Sequence, residues 1–162
     1  MLQLYSQMRK NYIQKGHHTM EIERKFLIKE LPDLTQFESK HITQGYLNTN
    51  PVVRVREDGD KYYLTYKGKG LLAREEANLP LTKEAFEHLI VKSDGKIIRK
   101  TRYLIPLVPY TIELDVFEGD HAPLIMAEVE FPSIEEANAF VAPEWFGEDV
   151  TQDSRYHNSN MI

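Results

Sequence analysis

Glutamates alternate with other residues in two short runs near opposite ends of this 162-residue sequence. The first run, EIERK, spans residues 21–25, and the second, AEVEF, spans residues 127–131. Because side chains in a β-strand alternate between two faces, each run places its two glutamates on one face. Like charges crowded on one face repel each other, and a divalent cation that prefers oxygen ligands would neutralise them. The two runs therefore predict a metal site built from two strands.

Positive charges follow the same alternating pattern in the middle of the sequence. Arg54 and Arg56 share a face in VVRVR at residues 52–56, and Lys100 and Arg102 share one in IIRKTRY at residues 97–103. Guanidinium and ammonium groups bind phosphate oxygens, and Mg²⁺ or Mn²⁺ commonly bridges carboxylates to phosphates. The two kinds of face together indicate a site for a polyphosphate and a divalent metal, which suits phosphoryl transfer. Further alternating sets contribute Thr65 and Lys67; Arg74, Glu76 and Asn78; and Glu113 and Asp115.

Strand patterns dominate the chain and must position these side chains. Alternating or β-branched and aromatic runs predict eight strands, at residues 21–28, 42–48, 52–57, 61–67, 73–79, 97–104, 110–117 and 124–131. Thr82 is a typical N-cap for a helix over residues 83–91, and Ser133 with Glu136 forms a capping-box pattern for one over residues 134–140. We therefore predict a mainly β fold, a closed antiparallel barrel of about eight strands with a few external helices.

The apolar faces of the same strands decide which side of the barrel is charged. Residues opposite the charged sets are too apolar to face water on a monomer, so we expect them beneath the external helices and across a homodimer contact. The charged faces then line the interior of the barrel. We expect Trp145 and Phe146 to cover one end of the barrel. The apolar set comprises Val53, Val55, Tyr62, Leu64, Tyr66, Ile112, Leu114, Val116, Val129 and Phe131.

Composition excludes several classes of protein. A chain of 18.9 kDa is the size of one domain, and a net charge of −5 argues against a general nucleic-acid binder. The sequence has no cysteine, which excludes disulfides and thiol catalysis and suits a cytoplasmic location. The sequence contains no run of 18 apolar residues, so no membrane span is predicted. Residues 1–19 lack the apolar core of a secretory signal.

The run at residues 21–25 resembles the ExExK signature of the CYTH superfamily, the triphosphate tunnel metalloenzymes. Later motifs also follow the order found in its short bacterial members, and the resemblance covers about residues 20 to 160. It implies a CYTH domain over residues 20–162 and an N-terminal extension over residues 1–19. The matching motifs are QGYL at 44–47, RVR at 54–56, TYK at 65–67, REE at 74–76, KTRY at 100–103, ELD at 113–115, AEVEF at 127–131 and VTQDSRYHN at 150–158.

The resemblance implies Mg²⁺- or Mn²⁺-dependent hydrolysis of inorganic triphosphate to diphosphate and phosphate inside the barrel. The implied metal ligands are Glu21, Glu23, Glu76, Glu128 and Glu130. The implied phosphate-binding residues are Lys25, Arg54, Arg56, Lys67, Lys100 and Arg102. Arg155 is expected either at the mouth of the tunnel, as a further phosphate-binding residue, or on the surface.

Tyr46 and Lys67 are the candidate catalytic residues. The resemblance permits Tyr46 to accept a proton, whereas an ordinary tyrosine pKa near 10 favours a hydrogen-bonding role. Family members often carry a second glutamate at position 78. Asn78 keeps an oxygen ligand without the charge, which weakens the expectation of a second metal site.

Two other enzymatic functions and one non-enzymatic function stay open. A class IV adenylate cyclase or a thiamine-triphosphatase would use a similar charged tunnel, and so would a non-catalytic module that binds polyphosphate or nucleotides. Nucleoside substrates need a pocket for the base, and the sequence shows no obvious one. Intact metal-binding carboxylates favour catalysis over binding alone, since only catalysis needs an activated water.

Overall fold

Antiparallel β-strands make up most of the computed structural model, which describes residues 18–162. The prediction of an N-terminal extension lies outside the described residues except at positions 18 and 19, which already belong to the first strand. Two helices accompany the strands, α1 (Lys83–Ile90) and α2 (Ile134–Ala139). The strands are β1 (His18–Ile28), β2 (Glu38–Thr49), β3 (Val52–Asp58), β4 (Lys61–Lys67), β5 (Ala73–Leu81), β6 (Asp94–Leu107), β7 (Tyr110–Phe117), β8 (Ile125–Glu130) and β9 (Phe146–Asp149).

Eight of these strands close into a barrel. Their order is β5-β4-β3-β2-β6-β7-β8-β1, and β1 pairs back with β5, with Glu21 opposite Arg74. The predicted closed antiparallel barrel of eight strands is confirmed. The ninth strand was not predicted: β9 pairs with Phe26 and Ile28 of β1, beyond the point where β1 leaves β5.

The two helices begin at the predicted caps and lie outside the barrel. The Thr82 hydroxyl accepts a hydrogen bond from the Ala85 amide, and the Ser133 hydroxyl accepts one from the Glu136 amide. The Tyr110 hydroxyl of β7 donates to the Glu136 carboxylate at 2.8 Å, which ties α2 to the barrel wall. Within residues 18–162, no helix is long and apolar enough to cross a membrane.

An outer apolar cluster packs between the barrel wall and α2. It contains Ile112, Leu114, Val129 and Phe131, which were predicted to point away from the interior. Phe146 also belongs to this cluster, with its ring centroid 4.9 Å from that of Phe26. The prediction that Phe146 covers a barrel end is therefore wrong, because β9 runs alongside β1 and directs this ring against the outer wall.

A second apolar cluster lies inside the barrel at one end, and we call it the floor cluster. Strand alternation shows its position: Ile98 shares one face of β6 with Lys100 and Arg102, and Met126 shares one face of β8 with Glu128. Because residues of the C-terminal segment pack against it, the barrel interior is closed at this end. The floor cluster comprises Tyr46, Val52, Ile98, Phe117, Met126 and Val150, covered by Leu27, Leu124, Tyr156, Met161 and Ile162.

Candidate active site inside the barrel

A chamber of about 790 Å³ fills the barrel above the floor cluster. Side chains of all eight barrel strands and of the C-terminal segment line it, and the exposed Glu38, Asp60 and Lys61 surround its open end. Strand alternation thus turns the charged faces inward, as predicted. The predicted site residues that the structure brings together here are Glu21, Glu23, Lys25, Tyr46, Arg54, Arg56, Lys67, Glu76, Arg102, Glu128 and Glu130.

Two predicted phosphate-binding residues lie elsewhere in the structure. Lys100 is fully buried below the chamber, where its ammonium group contacts Asp115 and lies 5.1 Å from the centre of the Phe117 ring. Burial lowers the pKa of Lys100 to about 8, although the Asp115 carboxylate opposes the shift. The Arg155 side chain is exposed and binds Asp153, with Nη2 2.6 Å from Oδ2. These two placements correct the expectation that both residues line the tunnel.

One group of ion pairs joins β1, β4 and β5. The Lys67 ammonium donates to Glu21 at 2.7 Å and lies 2.9 Å from Glu76 Oε2, and Arg74 donates to Glu21 at 3.0 Å. Although burial alone would raise the pKa of Glu76, the charge of Lys67 holds it well below its usual range. The Asn78 amide also donates to Glu76, so this carboxylate stays ionised and oriented.

A second group of ion pairs joins β1, β6, β7 and β8. Lys25 Nζ lies 2.8 Å from Glu23 Oε1 and 2.6 Å from Glu128 Oε1. Arg102 donates to the other Glu128 oxygen at 2.8 Å and to Asp115 at 2.6 Å. Burial alone would lower the pKa of Lys25, but the carboxylates of Glu128 and Glu23 raise it above its usual value. Lysine and arginine side chains from neighbouring strands therefore counter the charge of these glutamates.

The wall formed by β2 and β3 has a different character. Arg56 donates through Nε and Nη2 to Gln44 Oε1, at 2.9 and 2.7 Å. Gln44 in turn donates to the Tyr46 hydroxyl at 3.0 Å. Tyr46 is almost completely buried between the chamber and the floor cluster. The Tyr46 hydroxyl therefore fixes the Gln44 amide, and the Gln44 amide orients the Arg56 guanidinium.

Arg54 and Arg56 carry positive charge on this wall without a paired carboxylate among the described residues. Arg54 makes one long hydrogen bond, from Nη2 to the Thr65 hydroxyl at 3.3 Å, and its buried Nε has no partner. Burial, with the charges of Arg54 and Arg102, lowers the pKa of Arg56 to about 10. An anion bound here would offset that repulsion and satisfy the unpaired N–H group.

Several residues in the chamber or next to its lining were not assigned a role from the sequence. Gln44, Arg74 and Asn158 lie inside quoted motifs or alternating sets, and the period-two pattern places Arg74 on the same face as Glu76. Arg74 donates to Glu21 on β1, 53 positions earlier, and Gln44 accepts from Arg56 on β3. Strand alternation alone therefore indicates the face on which these side chains lie and does not identify their partners.

Fold and site together define a β-barrel protein that encloses its charged groups in an interior chamber. A model of the CYTH domain matches residues 19–160. The chain therefore belongs to the CYTH domain family.

Relatives of known structure or activity are similar over most of the chain. An inorganic triphosphatase of Nitrosomonas europaea is 42% identical over 145 residues, covering 87% of this chain and 95% of the relative. An inorganic triphosphatase of Acetivibrio thermocellus is 37% identical over 147 residues, covering 88% and 92%. A crystal structure of an inorganic triphosphatase, 39% identical, superposes with a TM-score of 0.66 over 90% of this chain and 96% of that chain.

Membership of this family implies a divalent metal ion. Within residues 18–162, no three histidine, aspartate or glutamate side chains are already grouped as a metal site. The donor chemistry nevertheless fits: Glu23 Oε1 and Glu76 Oε2 are buried, accept no hydrogen bond, and lie in a chamber rich in carboxylates. Carboxylate oxygens are the ligands that Mg²⁺ and Mn²⁺ prefer. A metal bound there would compete for them with Lys25 and Lys67, which lie 2.8 and 2.9 Å away.

Proposed function

We propose that this protein hydrolyses inorganic triphosphate to diphosphate and phosphate in its barrel chamber, with Mg²⁺ or Mn²⁺ as the cofactor. The observation that carries this proposal is the division of charge between the chamber walls. Within residues 18–162, Arg54 and Arg56 of β3 face the chamber without a carboxylate partner, while glutamates line the opposite wall. A linear polyphosphate with its metal ion complements both walls. The two inorganic triphosphatases, 42% and 37% identical to this chain, support the same activity.

Binding of the phosphate chain is assigned first to the two unpaired arginines. The free Nε–H of Arg54 and the remaining N–H groups of Arg56 can donate charge-assisted hydrogen bonds to phosphate oxygens. Lys25, Lys67 and Arg102 also line the chamber, and each already contacts a carboxylate. These three cations can therefore bind phosphate while their glutamate partners turn to the metal.

The proposed reaction transfers the terminal phosphoryl group to water. The water oxygen bonds to the terminal phosphorus as the bridging P–O bond breaks, diphosphate leaves with the electron pair, and the water proton is released to solvent. A bound divalent ion supplies charge neutralisation and lowers the pKa of a bound water. The side chains that would hold it are Glu21, Glu23, Glu76, Glu128 and Glu130.

Positioning is the contribution of the two candidate catalytic residues. Lys67 places its ammonium group between Glu21 and Glu76, where it can donate to a phosphate oxygen as charge develops. Tyr46 accepts a hydrogen bond from Gln44, which supports the hydrogen-bonding role over proton transfer. Lys100 is assigned a supporting role, since it contacts Asp115, which in turn orients Arg102.

The chamber wall favours an unsubstituted triphosphate over the alternative substrates. ATP and thiamine triphosphate carry an organic group that needs apolar or aromatic contacts. Among the described residues, Tyr46, Val52 and Tyr63 are the hydrophobic side chains that line the chamber. The first two lie at the closed end, in the floor cluster, where they pack against other side chains.

A substrate comparison tests this proposal. The purified protein is assayed with Mg²⁺ or Mn²⁺ against inorganic triphosphate, ATP and thiamine triphosphate, while phosphate, diphosphate and cyclic AMP are quantified. We expect the highest kcat/KM for inorganic triphosphate, with phosphate and diphosphate as the products. Cyclic AMP formed from ATP at a comparable rate would identify a cyclase instead. Tight binding of triphosphate without turnover would identify a binding module.

A homodimer is a further proposal. Met20 of β1 and Leu79 of β5 are 63% and 49% exposed, and alternation points both away from the chamber on neighbouring strands. A second copy that packs against this part of the outer wall would shield both apolar side chains from water. Sedimentation velocity of the wild type and of Leu79→Lys distinguishes a monomer from a dimer. A dimer that forms through this face should dissociate in the variant.

A further inference from the structure

Asn158 is a buried polar residue of the chamber to which the proposed reaction assigns no role. It lies in the last turn of the chain, Asn158–Asn160, lines the chamber and is 9% exposed. Its Oδ1 atom is fully buried and accepts no hydrogen bond. Leaving a buried polar atom without a partner is unfavourable, and in a native site such an atom indicates a bound water or ion.

The C-terminal segment is held against β1 beside the glutamates. β1 pairs with β5 only as far as Ile22, and beyond it the segment after β9 takes the place of β5. The Val150 amide donates to the Lys25 carbonyl at 2.9 Å, and the Lys25 amide donates to the Thr151 hydroxyl at 3.0 Å. These contacts fix the segment next to the strand that carries Glu23.

His157 completes the attachment and locates Asn158. Its Nε2 lies 3.2 Å from the Thr151 carbonyl, so this nitrogen is the donor. Asn158 follows directly in the chain and lines the same chamber as Glu23.

Several buried acceptor oxygens of this chamber lack a well-oriented hydrogen bond within residues 18–162. Glu23 Oε1 and Glu76 Oε2 accept no hydrogen bond, although a lysine ammonium lies 2.8 or 2.9 Å from each. Asn158 Oδ1 lacks even such an ionic contact among the described residues. A divalent cation binds carboxylate and amide oxygens alike, and a neutral oxygen adds a ligand without adding repulsion between carboxylates.

We propose that Asn158 Oδ1 is a ligand of the divalent cation, joining the chamber glutamates in one coordination shell. The proposal deepens the proposed function, because the cation concerned is the cofactor of that reaction. It assigns a metal-binding role to a neutral residue of the C-terminal segment. The segment thereby contributes to the site as well as to closing the barrel.

Mn²⁺ binding tests this proposal directly. Isothermal calorimetry and the EPR signal of free Mn²⁺ are recorded for the wild type, Asn158→Ala, Asn158→Asp and Asn160→Ala, with and without a non-hydrolysable imido analogue of triphosphate. Asn160 is the matched control, because its exposed side chain donates to the Ser154 carbonyl. We expect Asn158→Ala to weaken Mn²⁺ binding by roughly 10- to 100-fold. Asn158→Asp should retain or tighten it, and Asn160→Ala should leave it unchanged.

Three results would overturn the assignment. The first is equal Mn²⁺ affinity in Asn158→Ala and the wild type, and the second is no Mn²⁺ binding by the wild type in either condition. The third is an Asn158→Asp variant that loses affinity for the triphosphate analogue while keeping its Mn²⁺ affinity, because the amide nitrogen would then face phosphate. Asn158→Asp also provides the answer if Asn158→Ala fails to fold.

Hydrolysis of inorganic triphosphate, measured in parallel, separates this inference from the proposed function. A wild type that binds Mn²⁺ through Asn158 and does not hydrolyse triphosphate would refute the function alone. A wild type that hydrolyses triphosphate, with unchanged Mn²⁺ affinity in Asn158→Ala, would refute the inference alone.

Discussion

Replacing Arg56 with alanine should weaken triphosphate binding strongly and change stability little. In the unliganded protein, burial and the neighbouring Arg54 and Arg102 lower the pKa of Arg56 from 12.5 to about 10. That difference corresponds to about 3 kcal/mol of unfavourable interaction for the charged guanidinium. Because the folded-state pKa lies below the ordinary value, the charge destabilises the fold fully below pH 10, and the effect fades as the pH rises towards 12.5.

Loss of the guanidinium also removes two hydrogen bonds to Gln44 Oε1. Leaving that buried oxygen unsatisfied costs about 1–3 kcal/mol, which nearly cancels the relief of repulsion. We therefore expect the free energy of unfolding to change by less than about 2 kcal/mol. A lost charge-assisted hydrogen bond to phosphate costs about 1.5–3 kcal/mol, so affinity for triphosphate should fall roughly 10- to 100-fold.

Calorimetric titration with inorganic triphosphate in EDTA measures the affinity without turnover, and urea denaturation measures the stability. Arg99→Ala is the matched control, because Arg99 lies one residue from Lys100 on β6 and is exposed on the outer face. It should change neither quantity. Unchanged triphosphate affinity in Arg56→Ala, or an equal loss of affinity in Arg99→Ala, would refute the assignment of Arg56 to the phosphate site.

Three further predictions concern the carboxylates, a buried lysine and the floor cluster. Glu23→Gln should abolish triphosphate hydrolysis with Mg²⁺ and keep a native circular dichroism spectrum. The control variant Glu135→Gln, at an exposed position, should keep full activity. Turnover by Glu23→Gln would show that this carboxylate does not belong to the site. From pH 8 to pH 10 the free energy of unfolding of Lys100→Met should rise by about 2 kcal/mol less than that of the wild type, because the folded-state pKa of Lys100 is lowered to about 8 and the unfolded chain binds more protons over this range. Equal pH slopes in urea denaturation would contradict that pKa. Met126→Ala should lower the free energy of unfolding by roughly 2–5 kcal/mol and Met20→Ala by less than about 0.5 kcal/mol, since Met126 is fully buried and Met20 is 63% exposed; similar losses in denaturant titrations would argue against a packed floor.

Period-two alternation was sufficient to predict the barrel and the direction of its charged faces. Because charged and apolar residues alternate so regularly in β1, β3 and β8, only one face of each strand could be buried against the external helices. The helix caps at Thr82 and Ser133 were readable for a similar reason, since each depends on residues three positions apart. These features are local in sequence.

Features that depend on distant contacts were not predictable in this way. β9 has only four residues, and its partner β1 lies more than a hundred positions earlier. Lys100 shares a face with Arg102, as predicted, but alternation gives no depth along the barrel, and Lys100 lies next to the floor cluster rather than in the chamber. The pairing of Lys25 with Glu23 and Glu128 likewise required the register between β1 and β8.

Quantitative ³¹P NMR of inorganic triphosphate turnover tests the central claim most directly. With Mg²⁺ or Mn²⁺ present, the wild type should convert each triphosphate into one phosphate and one diphosphate. With EDTA, or with Arg54 and Arg56 both replaced by alanine, the triphosphate resonances should persist. Triphosphate that persists with the wild type and either metal, or turnover that proceeds equally well without the two arginines, would contradict the account of the chamber as a metal-dependent triphosphatase site.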